Sequence, residues 1–337
     1  MKVDTGLPFT TSIDARHAAA AAEKAGYAGL WTSEVKHDPF VALSLAAVAT
    51  ERIELGTSIA VAFARNPMSM AVVANDLQIL SKGRLLLGLG SQVRAHITRR
   101  FNMPWSHPAP RMREYILAMR AIWEAWHSGD KLDFQGDYYS HTLMTPFFDP
   151  GKSDFGAPRV MLAGVGATMT AVAGEVCDGF LCHGFTTERY LREVTMPALQ
   201  EGRRKVGKDL DGFDVSGSPL IVTGRDDKEM AAARLGVQNQ IAFYGSTPAY
   251  RGVLELHGWG DLADQLHELS RRGGWAEMGG LIDDEVVETF AVVAEPDQVS
   301  GELLKRYGDL VTRWTFYMPY EADKSVVDQI AQELRSA

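Results

Sequence analysis

Cysteine is almost missing: Cys177 and Cys182 are the only two in 337 residues. Two thiols exclude a disulfide framework and a cysteine-rich metal site. The nine histidines never fall at the H-E-x-x-H spacing that sets two imidazoles on one helix face, so no metal centre is expected. No apolar run approaches the roughly 20 residues of a membrane-spanning helix, and M-K-V-D-T-G-L-P-F-T lacks a signal-peptide core. Positive charge is scarce: 34 Lys and Arg stand against 43 Asp and Glu, a net charge of −9. That balance argues against an electrostatic nucleic-acid binder. Neither a G-x-S-x-G elbow nor a P-loop occurs, which sets aside the hydrolase and NTP-dependent readings they signal. The expectation is a cytoplasmic protein without membrane or nucleic-acid partner.

What is present is regular. Hydrophobic residues at 46% and charged residues at 23% are ordinary for a globular chain. The stretch R-L-L-L-G-L-G-S-Q-V-R-A-H-I-T-R-R-F, Arg84 to Phe101, holds an uninterrupted apolar strand that breaks into a polar, cationic run. Such a strand suits a parallel sheet covered on both faces. Before it come strands at Met1–Leu7, Ala28–Ser33 and Ile53–Val61, separated by helices. Thr11-x-x-Asp14, Asp38-Pro39 and Asn66-Pro67 supply the helix starts, and Gly26 a C-cap. After Arg111–His127, an amphipathic helix, Lys131–His141 alternates like a hairpin and Met144–Ala157 is a Pro- and Gly-rich loop. Further strands are expected at Arg159–Ala163, Gly179–Cys182, Phe213–Thr223 and Leu310–Met318. Asp226-x-x-Glu229 caps the long helix after the seventh. Eight strands alternating with helices predict an α/β chain, a single (β/α)₈ TIM-type barrel over residues 1–337 with insertions around 103–157 and 244–295. A doubly wound open sheet is the alternative.

Barrel chemistry gathers at the carboxyl ends of strands. There the sequence places Glu34, the Gly56–Ile59 turn, Gln92 to His96, Gly164 to Thr168, His183, Thr223 and Tyr317. G-L-G-S-Q-V at Gly88 and G-V-G-A-T-M at Gly164 both lack the third glycine of a dinucleotide fingerprint. A glycine turn entering a helix still offers backbone N–H groups to a phosphate. Gly164, Val165, Gly166, Ala167 and Thr168 therefore form a candidate anion cradle, although a plain tight turn is an equally common use of such a motif. His37, His96 and His183 each lie just past a strand, and Glu34 with His37 suits proton transfer. Glu34 can equally serve as a structural acceptor for backbone N–H groups.

These residues resemble the luciferase-like, flavin- or deazaflavin-dependent oxidoreductases. The matching segments are G-Y-A-G-L-W-T-S-E from Gly26, T-E-R-I-E-L-G-T-S-I from Thr50, S-K-G-R-L-L-L-G-L-G from Ser81 and A-G-V-G-A-T-M-T-A-V-A-G-E-V-C-D-G from Ala163. A-V-A-F-A-R-N-P from Ala60, G-S-Q-V-R-A-H-I-T-R-R-F from Gly90 and F-Y-G-S-T-P-A-Y-R from Phe243 resemble a subgroup usually assigned to coenzyme F420. The resemblance implies a cofactor ring across the barrel mouth and a homodimer. It implies a non-proline cis peptide at Ser58–Ile59 behind the ring, with Thr57 beside it, and ring-edge contacts from Gln92 and His96. The cofactor phosphate falls on Gly164–Thr168, with Arg94 assisting. The implied activity is hydride transfer between the deazaflavin C5 and an alcohol, ketone or activated alkene. The alternatives are an FMNH₂-dependent monooxygenase and a non-catalytic flavin-binding protein.

Two departures bear on the chemistry. Val35 stands where the family commonly has a histidine after the acidic residue ending strand two, and Val93 matches the proton-donor glutamate of the sugar-phosphate dehydrogenase branch. Sugar-phosphate oxidation and light emission are accordingly not expected. Glu34 and His37, then His183, remain the candidate catalytic residues. Met103–Trp105 and Leu143–Phe148 are candidate walls of an apolar substrate pocket, or core or subunit interface.

Overall fold

In the computed structural model, which describes residues 1–7 and 14–337, eight parallel strands close on themselves. They are Lys2–Gly6 (β1), Gly29–Thr32 (β2), Glu54–Thr57 (β3), Leu85–Gly90 (β4), Arg159–Gly164 (β5), Gly179–Cys182 (β6), Asp214–Gly217 (β7) and Arg313–Trp314 (β8). Each pairs with the next, and β8 returns to β1 through Lys2↔Arg313 and Val3↔Trp314. The chain is a single (β/α)₈ barrel. Three of the expected strands are shorter or interrupted. The third breaks at Ser58–Ile59 and resumes as Ala60–Val61; the seventh breaks at Ser218–Pro219 and resumes as Leu220–Val222, and the eighth is regular only at Arg313–Trp314.

Local chemistry explains the helix starts. Pro39–Ala49 (α2) follows Ala15–Lys24 (α1), and Asp38 accepts from Phe40 N at 2.8 Å. Pro67–Leu80 (α3) is capped by Asn66, which accepts from Ser69 N at 2.9 Å. Both proline starts use the position where an N–H would be unsatisfied anyway. Thr11 lies outside the described residues. Pro108–Ser128 (α4) ends at Gly129, whose φ of 76° is the left-handed cap expected of glycine. The hairpin pairs Phe134–Gln135 with Ser140–His141. Ala167–Val176 (α5) packs on Met196–Lys205 (α6) so tightly that a Cβ at Gly174 would lie 2.3 Å from the Leu199 carbonyl. That contact fixes α5, whose first turn faces the mouth. Asp227–Gly245 (α7) begins on Asp226, which accepts from Glu229 N at 2.8 Å. Residues 251–290 add four helices and a second core around Phe185, Leu254, Leu266 and Phe290. The expected start at Asp261 falls one residue inside a helix that begins at Gly260.

The barrel floor is built from charge. Arg313, fully buried, donates to Asp4 through Nε at 2.8 Å and Nη2 at 2.9 Å, and to Glu54 at 2.5 Å. Trp31 Nε1 donates to Asp4 at 2.8 Å, while Arg159 and Lys2 close the ring through Asp214 and Glu54. Burial pushes the Asp4 carboxyl up against the pull of Arg313. Burial also opposes the Glu54 charge, yet Arg313 and Lys2 hold that carboxyl below its ordinary value. Above this layer Trp31, Leu86, Met161 and Leu181 fill the middle. Gly56 makes room for the Trp31 ring, which would stand 2.3 Å from a Cβ there.

Candidate active site at the barrel mouth

The strand L-L-L-G-L-G explains the shape of the mouth. Leu85, Leu87 and Leu89 pack outward with the helices, while Leu86 joins Trp31, Met161 and Leu181 inside. The inward column Leu86, Gly88, Gly90 thus loses its side chains toward the carboxyl end, as period-2 alternation requires. A Cβ at Gly88 would lie 1.8 Å from the Thr57 carbonyl, and one at Gly90 2.9 Å from Ile59 Cδ1. The missing side chains let Ile59 lean over β4. The Ser58–Ile59 peptide is cis, so Ile59 offers an apolar seat at the mouth. Thr57 is fully buried, and its hydroxyl donates to the Gly88 carbonyl at 2.7 Å. Thr57 thus braces the seat rather than facing it.

One wall is charged. Glu34 Oε2 accepts from Val61 N at 2.8 Å and from Arg65 Nη1 at 2.6 Å; Arg65 Nη2 reaches Asp38 at 2.8 Å. Burial works against the Arg65 charge, but the bonds and charges of Glu34 and Asp38 outweigh it and raise its pKa. Through these bonds Glu34 clamps the second half of strand three. His37 is exposed, as is Val35. Behind the wall, Arg111 is buried with its guanidinium 4.3 Å from the Phe63 ring centre, donating to Tyr139 Oη and the Pro104 carbonyl. Trp105 meets Phe63 edge-on at 5.7 Å. Met103 and Trp105 pack as core, while Leu143, Phe147 and Phe148 are 77%, 90% and 73% exposed. Met144 accepts from Trp126 Nε1 in the last turn of α4, so this loop lies on the barrel flank and does not wall the mouth.

The opposite wall is neutral and aromatic. His183, two residues beyond Leu181, packs 4.7 Å from both Tyr244 and Tyr250. Its Nδ1 accepts from Phe185 N at 3.0 Å, and burial lowers the imidazole pKa to about 4. The ring is thus neutral at pH 7 with its proton on Nε2, a donor. Tyr244 and Tyr317 share a hydroxyl–hydroxyl bond of 2.9 Å. Burial and the neighbouring Tyr244 hold the Tyr317 phenol far above its ordinary pKa. Tyr244 and Tyr250 come from the insertion after β7, which no local pattern places over the mouth; the F-Y-G-S-T-P-A-Y-R match was the available signal.

The cradle lies between the walls. α5 starts after Gly166, which makes no side-chain cap, and Gly166, Ala167 and Thr168 are exposed. The first intrahelical bond is Thr170 N to the Gly166 carbonyl, so the N–H groups of Ala167, Thr168 and Met169 lack helical partners. A Cβ at Gly166 would meet nothing within 4 Å. These donors, the open space and the helix dipole fit a phosphate. Across the mouth Gln92 adopts φ 60° and accepts from Val93 N, while Arg94 and His96 are exposed. Gly164 and Val165 are half-buried, the Val165 carbonyl accepting from Tyr190 Oη at 3.2 Å. A separate cavity of about 560 Å³ sits on the flank near the amino ends of β5 and β6, lined by Asn75, Arg120, Trp123, Glu124, Trp126 and His127. Its titratable groups are the Arg120 guanidinium, already paired with Asp178, the Glu124 carboxylate and the His127 imidazole, at the end of the barrel away from the mouth. Among the described residues no cluster of His, Cys, Asp or Glu is placed to hold a metal.

A closed eight-stranded parallel barrel, broken in strand three by a cis peptide and open at the turn after strand five, defines the class as a (β/α)₈ barrel. The model for luciferase-like monooxygenases matches residues 10–313, so the chain belongs to that luciferase-like family of oxidoreductases. It is 54% identical over 313 residues to an uncharacterized protein of Mycobacterium tuberculosis, covering 93% of this chain and 92% of the relative. It is 32% identical to the F420-dependent glucose-6-phosphate dehydrogenase of Nocardia farcinica, covering 90% and 85%. Among solved structures it is similar to the coenzyme F420-dependent tetrahydromethanopterin reductase of Methanopyrus kandleri. The TM-score is 0.81 at 22% identity, with 99% and 98% of the chains covered. An F420-dependent secondary alcohol dehydrogenase gives 0.74 at 18% identity, with 98% and 97% covered.

Proposed function

We propose that the chain is a coenzyme F420-dependent oxidoreductase. The observation that carries this reading is the pairing of an uncapped, exposed α5 start with an Ile59 seat across one mouth. F420-dependent relatives such as the Nocardia enzyme support it. The deazaflavin supplies hydride transfer at C5; the protein supplies position and a dry site. Gly164 to Thr168 hold the phosphate, Ser58–Ile59 support the ring from below, and Gln92, Arg94 and His96 border it. Thr57 acts on the ring only through the seat it braces.

The substrate is a small alcohol, ketone or activated alkene, held between the two walls. His183 and the Tyr244–Tyr317 pair present neutral donors to its oxygen. Of the three candidate proton handlers, His183 has the free donor, whereas Glu34 is engaged by Arg65 and His37 points to solvent. Titrating the purified protein with F420 and with FMN, followed by tryptophan fluorescence, tests the cofactor. Micromolar F420 binding with FMN far weaker is expected. The reverse preference makes the chain an FMNH₂-dependent monooxygenase, and tight binding without turnover makes it a flavin-binding protein.

The barrel pairs as a homodimer through α2 and α3. Val41, Val48, Val72, Ile79 and Leu80 are exposed there, and α2 has Ser44 as its single polar side chain. Such an apolar face on a barrel exterior is characteristic of an interface. No described helix is long and apolar enough to cross a membrane. Two buried, unpaired cysteines accord with a reducing, cytoplasmic location.

A further inference from the structure

The rim of the mouth is electrically lopsided. In the loops after β2 and β4, Lys36, His37, Arg94, His96, Arg99 and Arg100 are all exposed. The two carboxylates of those loops, Glu34 and Asp38, are both taken by Arg65. Among the described residues Lys36, Arg94, Arg99 and Arg100 make no ion pair; Arg100 donates to the Val35 carbonyl at 2.7 Å. That bond ties the two loops together across strand three, so the cations of both stand on one side of the mouth. Phe101 N reaches back to the His96 carbonyl at 3.0 Å, a wide turn that spreads Arg94, Arg99 and Arg100 around the rim.

Several exposed arginines elsewhere on this surface are matched. Arg192 meets Glu188 and Asp309, Arg251 meets Glu255 and Asp264, and Arg225 meets Asp323. In a chain with nine more acids than bases, four unopposed cations in two touching loops create a local positive field against the overall charge. Guanidinium forks suit carboxylate and phosphate oxygens. We propose that this rim is an anion-recognition site for the carboxylate or phosphate groups of a reactant whose reacting part lies over Ile59. The inference rests on the mouth being the reaction site. The anion comes either from the substrate or from the acidic tail of a deazaflavin cofactor.

The test compares the wild-type protein with a Lys36→Gln/Arg99→Gln double variant at 50 and 500 mM KCl. Both positions are exposed and unpaired, so the melting temperature should not change. Three probes are titrated by calorimetry or fluorescence: tripolyphosphate, F420, and its chromophore without phosphate or tail. Tripolyphosphate should bind the wild type and weaken about tenfold in the variant, with a similar loss at high salt. An equal loss for F420 with the bare chromophore unaffected assigns the rim to the cofactor tail. Unchanged binding of both chromophores, with tripolyphosphate still weakened, assigns it to the substrate. Tripolyphosphate that binds both proteins equally, or neither, overturns the proposal. Wild-type protein that binds no F420 overturns the cofactor assignment, while the tripolyphosphate comparison still decides the rim.

Discussion

The two ends of the barrel bury polar groups in opposite ways. At the floor, Arg313, Asp4, Glu54, Asp214, Arg159 and Lys2 compensate one another, with Arg313 and Asp4 almost wholly out of water. At the mouth one wall carries Arg65 clamped by Glu34 and Asp38, and the other uses neutral groups: His183, Tyr244, Tyr250 and Tyr317. A closed floor can satisfy every charge permanently. A mouth that must accept and release a reactant cannot leave charges buried when empty, because an unpaired buried charge is far costlier than an unpaired hydroxyl. The floor therefore reads as stability and the mouth as chemistry, which is the usual division in such barrels.

The comparison breaks most severely at Arg313. Arg313→Met strands the Asp4 and Glu54 carboxylates and should cost about 3–5 kcal/mol in chemical denaturation. A loss below about 1 kcal/mol would show that the floor network is dispensable. Gly88→Ala should follow, since its Cβ meets the Thr57 carbonyl at 1.8 Å; overpacking of this kind costs about 1–3 kcal/mol or more. Gly166→Ala at the cradle meets open space and should leave the melting temperature within about a degree or two. Equal losses at both glycines would contradict the tapering of the inward column.

Glu34→Gln keeps an acceptor for Val61 N but removes one of the two Arg65 counter-ions. A loss of about 1–2 kcal/mol is expected, with the pH profile of turnover retained. A profile that loses a limb would instead make Glu34 the proton handler. A pH-dependent effect belongs to His183. Its folded pKa of about 4 lies below the unfolded value, so the unfolded chain binds the extra proton between about pH 6.5 and 4. Stability should be intact above that window and fall as the pH drops through it, by at most about 1.4 kcal/mol per unit. His183→Asn, which retains an acceptor for Phe185 N, should flatten that slope. An unchanged slope would mean the imidazole titrates normally.

Legibility in the sequence followed the range of the interactions. Strand positions and caps were visible because apolar runs and Asp-Pro or Asn-Pro pairs are local, as at Asp38 and Asn66. The Gly56–Ile59 turn was legible in the residues, but the cis peptide at Ser58–Ile59 was visible only through resemblance. The Glu34–Arg65 pair was not visible, because its members are 31 residues apart and Arg65 follows a short 3₁₀ turn. Arg111 marked only the start of an amphipathic helix in the sequence, and nothing local showed that it is buried between Phe63 and Tyr139. The floor network hid similarly: charges at strand starts look solvated until eight strands bring them to one axis. His183 was singled out by its place after β6, but its aromatic partners arrive from a distant insertion.

A crystal structure of the protein with F420 tests the central assignment most directly. The expected result has the phosphate on the N–H groups of Ala167 and Thr168, with the tricycle resting on Ile59 between the Glu34 and His183 walls. A deazaflavin seated instead in the flank cavity beside Asn75 and Trp123, with the mouth empty, would contradict it.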